Sequence, residues 1–362
     1  MAMPGGKQVK HEVNKGRGAT LQIEGRFERV ARERFDDGWG EEGEPLPPPR
    51  TTVTMERAKR VLQKQDSPDL SFEHSLNPYR GCEHGCIYCY ARPSHGYLNL
   101  SPGLDFETRL FAKPEAAQLL RAELAKPSYC CSPIALGVNT DCYQPIEREL
   151  KITRQILELL VECRHPVSIV TKSALIERDL DLLTQLARDR LVQVFITVTT
   201  LDAGLARTLE PRAAAPRRRL QAVRALNEAG VPCGVFVAPV IPFLTDAELE
   251  NVLQAAHEHG ARTAAYTLLR LPYELKDLFK DWLAVHHPLK AAHVMSRLRE
   301  MREGRENDSE FGSRFHGKGL FAQLLAQRFQ LACERLGLDW PEEGLDTGKF
   351  IPPELSGQQR LF

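Results

Sequence analysis

Nowhere in the 362 residues does an apolar run approach the roughly 20 residues that a membrane-spanning helix requires. The first residues, Met1 to Lys15, are polar and hold no apolar segment of the secretory type. These two absences predict a cytoplasmic chain with no membrane association. Excess charge is missing as well: 48 basic and 48 acidic residues give a formal net charge of zero. The chain as a whole therefore has no electrostatic pull toward nucleic acid, although a local basic groove would vanish in that average. A second Cys-x-x-Cys, the partner loop that zinc modules usually supply, is absent. So is a disulfide framework. The nine cysteines, at 82, 86, 89, 130, 131, 142, 163, 233 and 333, are odd in number, and three crowd into eight residues. That distribution predicts a reducing compartment and a metal site.

What is present falls into segments. Residues 1–50 are rich in Gly, Arg, Glu and Pro and read as a flexible N-terminal extension, with Ala19–Ile23 as a short stretch able to dock. Residues 51–70 read as a charged, helix-compatible bridge. From Ser71 the texture changes. Apolar or β-branched runs near 76–79, 134–138, 167–171, 192–199, 233–241 and 263–269 alternate with amphipathic helical patterns. A helix is expected over 148–162. Another, over 216–229, opens on Pro216 and stops at Gly230. A third, over 245–259, opens on a Thr245/Glu248 capping box. Consecutive apolar residues such as Val194, Phe195 and Ile196 belong to a parallel sheet covered on both faces. About six such units in roughly 200 residues, against about 250 for a full eight-unit barrel, predict an α/β fold. We expect a partial (β/α)6 TIM-type barrel over 71–283, with a doubly wound sheet as the competing topology. Residues 284–362 read as C-terminal helices near 289–303 and 318–337, followed by an irregular tail.

The chemistry concentrates in Gly81-Cys82-Glu83-His84-Gly85-Cys86-Ile87-Tyr88-Cys89, a C-x3-C-x2-C spacing just after the first expected strand. Thiolates are soft ligands that select iron–sulfur clusters, zinc or Cu(I). Ordinary electron-transfer [4Fe–4S] clusters take four cysteines. Three leave one iron open, which generally marks a centre that does chemistry. The competing reading is a structural zinc site completed by His74, His84 or His95.

The spacing, with aromatic Tyr88 directly before the last cysteine, resembles the hallmark of the radical S-adenosylmethionine superfamily. Asn77-Pro78-Tyr79-Arg80, the stretch from Thr140 to Glu147, and Arg270-Leu271-Pro272 resemble its subgroup of spore photoproduct lyase-like proteins. The resemblance implies a [4Fe–4S] cluster on Cys82, Cys86 and Cys89, with S-adenosyl-L-methionine chelating the fourth iron beside Tyr88. It implies reductive cleavage to a 5′-deoxyadenosyl radical that abstracts hydrogen from a substrate. It also implies an electron donor such as flavodoxin or ferredoxin. The substrate is not identified, and a nucleic-acid lesion is the class the subgroup suggests. An iron–sulfur electron-transfer protein without radical chemistry is the alternative, with Cys142 or Cys130 as fourth ligand.

Several residues at expected strand ends are candidates for the cofactor. The family's Gly-Gly-Glu motif is absent, so Thr140 and Asp141 are the first choice for an ammonium group; Asp141 could instead cap its own loop. Lys172 and Ser173 end the third strand on the same rim. Thr197 and Thr199 share a strand face and could meet ribose hydroxyls, or could be ordinary strand formers. Glu210 and the run Arg217 to Arg219 form a basic loop suited to a carboxylate or phosphate. Cys142, beside Asp141, is the candidate for a catalytic thiol that donates hydrogen or quenches a radical.

Overall fold

Six parallel strands stand side by side in the order in which the chain makes them: β1 (His74–Leu76), β2 (Ile134–Leu136), β3 (Val167–Thr171), β4 (Val192–Thr197), β5 (Cys233–Val240) and β6 (Ala264–Leu268). Sequential order excludes the doubly wound sheet, whose strand order reverses. This computed structural model describes residues 15–27, 50–340 and 344–354. Most of the expected N-terminal extension (1–14 and 28–49) and the end of the tail (341–343 and 355–362) lie outside the described residues.

Helices cross between successive strands: α1 (Ala116–Leu124), α2 (Ile152–Glu162), α3 (Leu180–Arg188), α4 (Pro216–Glu228) and α5 (Leu249–Glu258). Each turns an apolar stripe inward, for example Leu182, Leu183 and Leu186 of α3. Strands β4 and β5 are almost wholly buried, as their unbroken apolar runs require. Three more helices follow: α6 (Leu275–His286), α7 (Pro288–Glu300) and α8 (Gly319–Leu336).

The barrel is not closed. The outer edge of β1 pairs antiparallel with Leu62–Lys64. Beyond β6 the segment 311–318 takes over, with the Leu268 N–H donating to the Phe315 carbonyl at 2.8 Å. Residues 15–27 bridge the open seam as a strap. Gly18 and Ala19 donate their N–H groups to Glu107 at 3.0 and 2.8 Å, Thr20 bonds Asp281 of α6, and Arg26 pairs with Glu274 at 3.0 Å. Thus the expected docking stretch does dock.

Three expectations are corrected. Residues 51–70 are not helical: Thr52–Met55 pairs in parallel with Arg109–Ala112, and Leu62–Lys64 is the edge strand just described. The β-branched run Thr52, Val53, Thr54 outweighs the helix-compatible charges that follow it. The helix expected over 148–162 is broken at Lys151, whose φ is 52°. Glu147 explains the break, because its carboxylate accepts the Thr153 and Arg154 N–H groups and so caps α2. The Thr245/Glu248 capping box does not form. The Thr245 hydroxyl accepts the Ile241 N–H at 2.8 Å, and Glu248 reaches back to Thr200 and the Leu201 N–H.

Candidate active site

The loop that leaves β1 carries Cys82, Cys86 and Cys89 at the C-terminal end of the parallel strands, the end where α/β barrels place their chemistry. Gly81 and Gly85 both take positive φ, 75° and 66°, which curls the loop. All three cysteines are free thiols, Cys82 and Cys86 buried and Cys89 partly so. Burial raises the pKa of each, that of Cys86 to about 12. Asp141 at Cys82, Glu210 at Cys86 and the neighbouring thiols add to the rise, and Lys172 opposes it at Cys86.

Buried side chains brace this loop. Arg92 is fully buried. It donates to the Cys86 carbonyl at 2.8 Å and the Gly85 carbonyl at 2.9 Å, and pairs with Glu107 at 2.5 Å. Gln144 accepts the Glu83 N–H and donates to the Gly81 carbonyl. His84 lies 3.2 Å from Asp141. None of these roles is visible as a sequence motif. Only the density of polar residues near the cysteines hinted at them.

The structure brings most of the sequence candidates to this rim. Lys172, at the end of β3, lies 5.8 Å from the centre of the Tyr88 ring. Burial lowers its pKa, but Cys86 and Glu210 outweigh that and raise it. Among the described residues its ammonium has no hydrogen bond or ion pair. Ser173 beside it caps the following turn, accepting the Leu175 N–H. Tyr88 is buried, with its hydroxyl on Glu210 and 3.2 Å from the Thr199 hydroxyl. Thr199 also donates to the Ala238 carbonyl. Thr197 differs, since its buried hydroxyl has no partner.

Other candidates are engaged elsewhere. The Thr140 hydroxyl donates to the Tyr79 carbonyl at 2.8 Å, tying the β2 loop to the cysteine loop. Asp141 accepts from Thr171, from the Lys172 and Tyr143 N–H groups, and faces His84. Burial pushes its pKa up, but His84 and these donors hold it down at about 2. It is therefore an ionised clamp between the β2 loop, the β3 end and the cysteine loop, which is the capping alternative in extended form. Glu210 and Arg219 are not a basic loop but a buried ion pair. Burial raises the pKa of Glu210, yet Arg219 and Lys172 bring it down to about 2. The expectation of a catalytic thiol at Cys142 is also corrected. Its side chain is enclosed in the main apolar core and lies under Gly137. A thiol with no open face cannot meet a substrate.

Does this donor set suit an iron–sulfur cluster? Among the described residues no three His, Cys, Asp or Glu side chains are gathered to hold a single metal ion. A single zinc needs its donors at about 2.3 Å from one centre, whereas a cluster carries its thiolates outward on separate irons. Of the histidines in the zinc alternative, His74 opens β1 at the end of the strands away from the cysteine loop, while His84 and His95 each commit one ring nitrogen, to Asp141 and to the Arg109 carbonyl. Neither proposed fourth cysteine is at hand. Cys142 is enclosed, and Cys130 is exposed just before β2, at the opposite end of the strands. The residues fit a cluster with one iron left open.

Comparison with known proteins gives the family. The family model of the radical SAM superfamily matches residues 76–256, and the chain belongs to that superfamily. It is a radical S-adenosylmethionine enzyme, and membership implies a [4Fe–4S] cluster and S-adenosylmethionine as cofactors. Among its relatives is the uncharacterised protein Rv2578c of Mycobacterium tuberculosis, 38% identical over 67% of this chain and 71% of that protein. Another is the uncharacterised protein MJ0683 of Methanocaldococcus jannaschii, 29% identical over 53% and 69% respectively. In fold the chain is similar to spore photoproduct lyase complexed with dinucleoside spore photoproduct. That match has a TM-score of 0.56 at 15% identity and covers 78% of each chain. A mutant of the same lyase with bound AdoMet and the dinucleoside matches at 0.57.

Proposed function

We propose that Cys82, Cys86 and Cys89 are the ligands of the cluster and that the fourth iron is left for S-adenosylmethionine. The observation that carries this reading is the set of three free thiols on one glycine-curled loop, with no fourth cysteine on that loop. When bound, the two cofactors supply one-electron cleavage and the hydrogen abstraction that follows.

The remaining work belongs to the chain. Lys172, whose ammonium is unpaired, is suited to the carboxylate of the methionine moiety. The unpartnered Thr197 hydroxyl is suited to a ribose hydroxyl. Tyr88 and Thr199, fastened to Glu210, form a fixed wall between them. Thr140 and Asp141 hold the loops in register and leave the ammonium group to backbone or solvent. A small acidic redox protein, flavodoxin or ferredoxin, is the electron donor in this reading. The substrate class we propose is nucleic acid. It is supported by exposed rings at the rim, Tyr90, Tyr97 and Tyr273, interleaved with arginines.

The test uses anaerobically reconstituted protein, reduced in the presence of S-adenosylmethionine, with 5′-deoxyadenosine quantified. Product is expected from the native chain and not from Cys86→Ala. A native chain with a loaded, reducible cluster whose paramagnetic spectrum ignores S-adenosylmethionine would end the reading.

A further inference from the structure

Arg270 follows β6 by two residues, on the same rim as the cysteine loop. Its guanidinium has no hydrogen bond and no ion pair among the described residues, and its Nε is shut away from solvent without a partner. Beneath it lies the Phe315 ring, 5.0 Å from the guanidinium carbon. The two nearby carboxylates are committed. Asp69 pairs with Arg314 at 2.7 Å and accepts the Gly312 N–H, while Asp308 accepts from Ser313 and the Glu310 N–H. Arg314 lies over Phe315 and over Phe311, which is 61% exposed. Burial first, and then the Arg314 charge, lower the Arg270 pKa, while Tyr90, Asp69 and Asp308 oppose them without making a hydrogen bond or ion pair to the guanidinium.

A partly buried cation without a counter-ion is expensive, and a chain retains one where something else brings the negative charge. The guanidinium fork matches an oxyanion in bidentate fashion. The exposed Phe311 ring beside it matches the flat face of a base. We infer that Arg270, floored by Phe315 and flanked by Arg314 and Phe311, is a subsite for a phosphate group of a nucleotidic substrate entering the barrel mouth. The inference rests on the nucleic-acid reading above and assigns a specific contact to it.

The test measures binding of fluorescein-labelled oligothymidylate (dT8), thymidine 5′-monophosphate and S-adenosylmethionine to the reconstituted full chain and to Arg270→Met. The expected result is dT8 binding about ten- to a hundredfold weaker in the variant, with the salt slope reduced by about one. The affinity for S-adenosylmethionine stays within twofold. Thermal stability holds or rises, because an unanswered charge has been removed. Arg270→Lys, which keeps charge and stem but loses the fork, is expected to fall between the two and covers the case in which the Met variant folds poorly.

Equal binding of both phosphate probes by native and variant protein overturns the subsite. So does a parallel loss of S-adenosylmethionine affinity, which would make Arg270 a cofactor residue. Arg270-dependent binding of the monophosphate without any binding of dT8 keeps the phosphate subsite and removes the nucleic-acid reading. The radical reading stands or falls separately, on 5′-deoxyadenosine.

Discussion

Arg92 and Arg270 both lie at the rim of one open barrel, the first beyond β1 and the second beyond β6, and differ in what answers their charge. Arg92 is met by the Glu107 carboxylate and by four backbone carbonyls, those of Gly85, Cys86, Pro102 and Gly103. Glu107 in turn takes the strap's Gly18 and Ala19 N–H groups. Around Arg270 the arginines outnumber their partners. Arg314 has Asp69, while Arg302 rests on the carbonyls of Leu269 and Arg314 with an orphan Nε. Burial pushes the Arg302 pKa down to about 10. The saturated side is built to stay still. The unsaturated side has binding capacity left over.

The largest effect that would break this contrast is on the saturated side. Arg92→Met leaves the Glu107 carboxylate buried without its cation. We expect a loss of about 3–5 kcal/mol in urea unfolding of the apo chain, together with reduced iron content after reconstitution. Unchanged stability would mean that the pair is not what holds the loop.

The next effect is on pH. Asp141 and Glu210 are held at about 2 in the fold, below their ordinary 3.8 and 4.5. Depressed carboxylates contribute stability that is fully present above the ordinary values and is lost as pH falls toward 2. The melting temperature should therefore fall steeply across that window, and Glu210→Gln should flatten the fall while lowering the plateau at neutral pH.

A smaller effect is expected at the strap. A Cβ on Gly18 would run into the Gly85 carbonyl, and one on Gly103 would lie 2.5 Å from the Leu21 carbonyl. Gly18→Val should cost about 1–3 kcal/mol and expose the strap to limited proteolysis. The smallest effect sharpens the comparison within one strand end. Thr197→Val removes an unpartnered hydroxyl and should change stability by no more than about 0.5 kcal/mol. Thr199→Val strips a donor from Glu210 and Ala238 and should cost about 1–2 kcal/mol. A rise in the Kd for S-adenosylmethionine in Thr197→Val would support the ribose assignment.

The six strands were legible because a strand buried on both faces cannot hide its apolar run, and each expected strand lies within two residues of the observed one except at the C-terminal ends. The cysteine loop was legible because ligand spacing is local. What escaped was non-local. Glu107 lies eighteen residues past Cys89, within a five-residue helix with no motif of its own, and acquires its role only when Arg92 and the strap converge on it. Asp141 is expected from the sequence to meet an ammonium group or to cap its own loop, and its protein partners, the Thr171 hydroxyl, the Lys172 and Tyr143 N–H groups and His84, come from segments that sequence cannot juxtapose. Cys142 looked reactive from its neighbour in sequence, whereas the turn after Asp141 directs it into the core.

The Gly18 and Ala19 bonds to Glu107 span almost ninety residues of chain. During synthesis the strap leaves the ribosome well before the loop it will lie against exists. Until Glu107 has emerged and folded, the back of the cysteine loop has no cover, and afterwards the strap closes over it. The order of translation thus makes these bonds wait: the strap can seat only after almost ninety further residues have been made and Glu107 has reached its place.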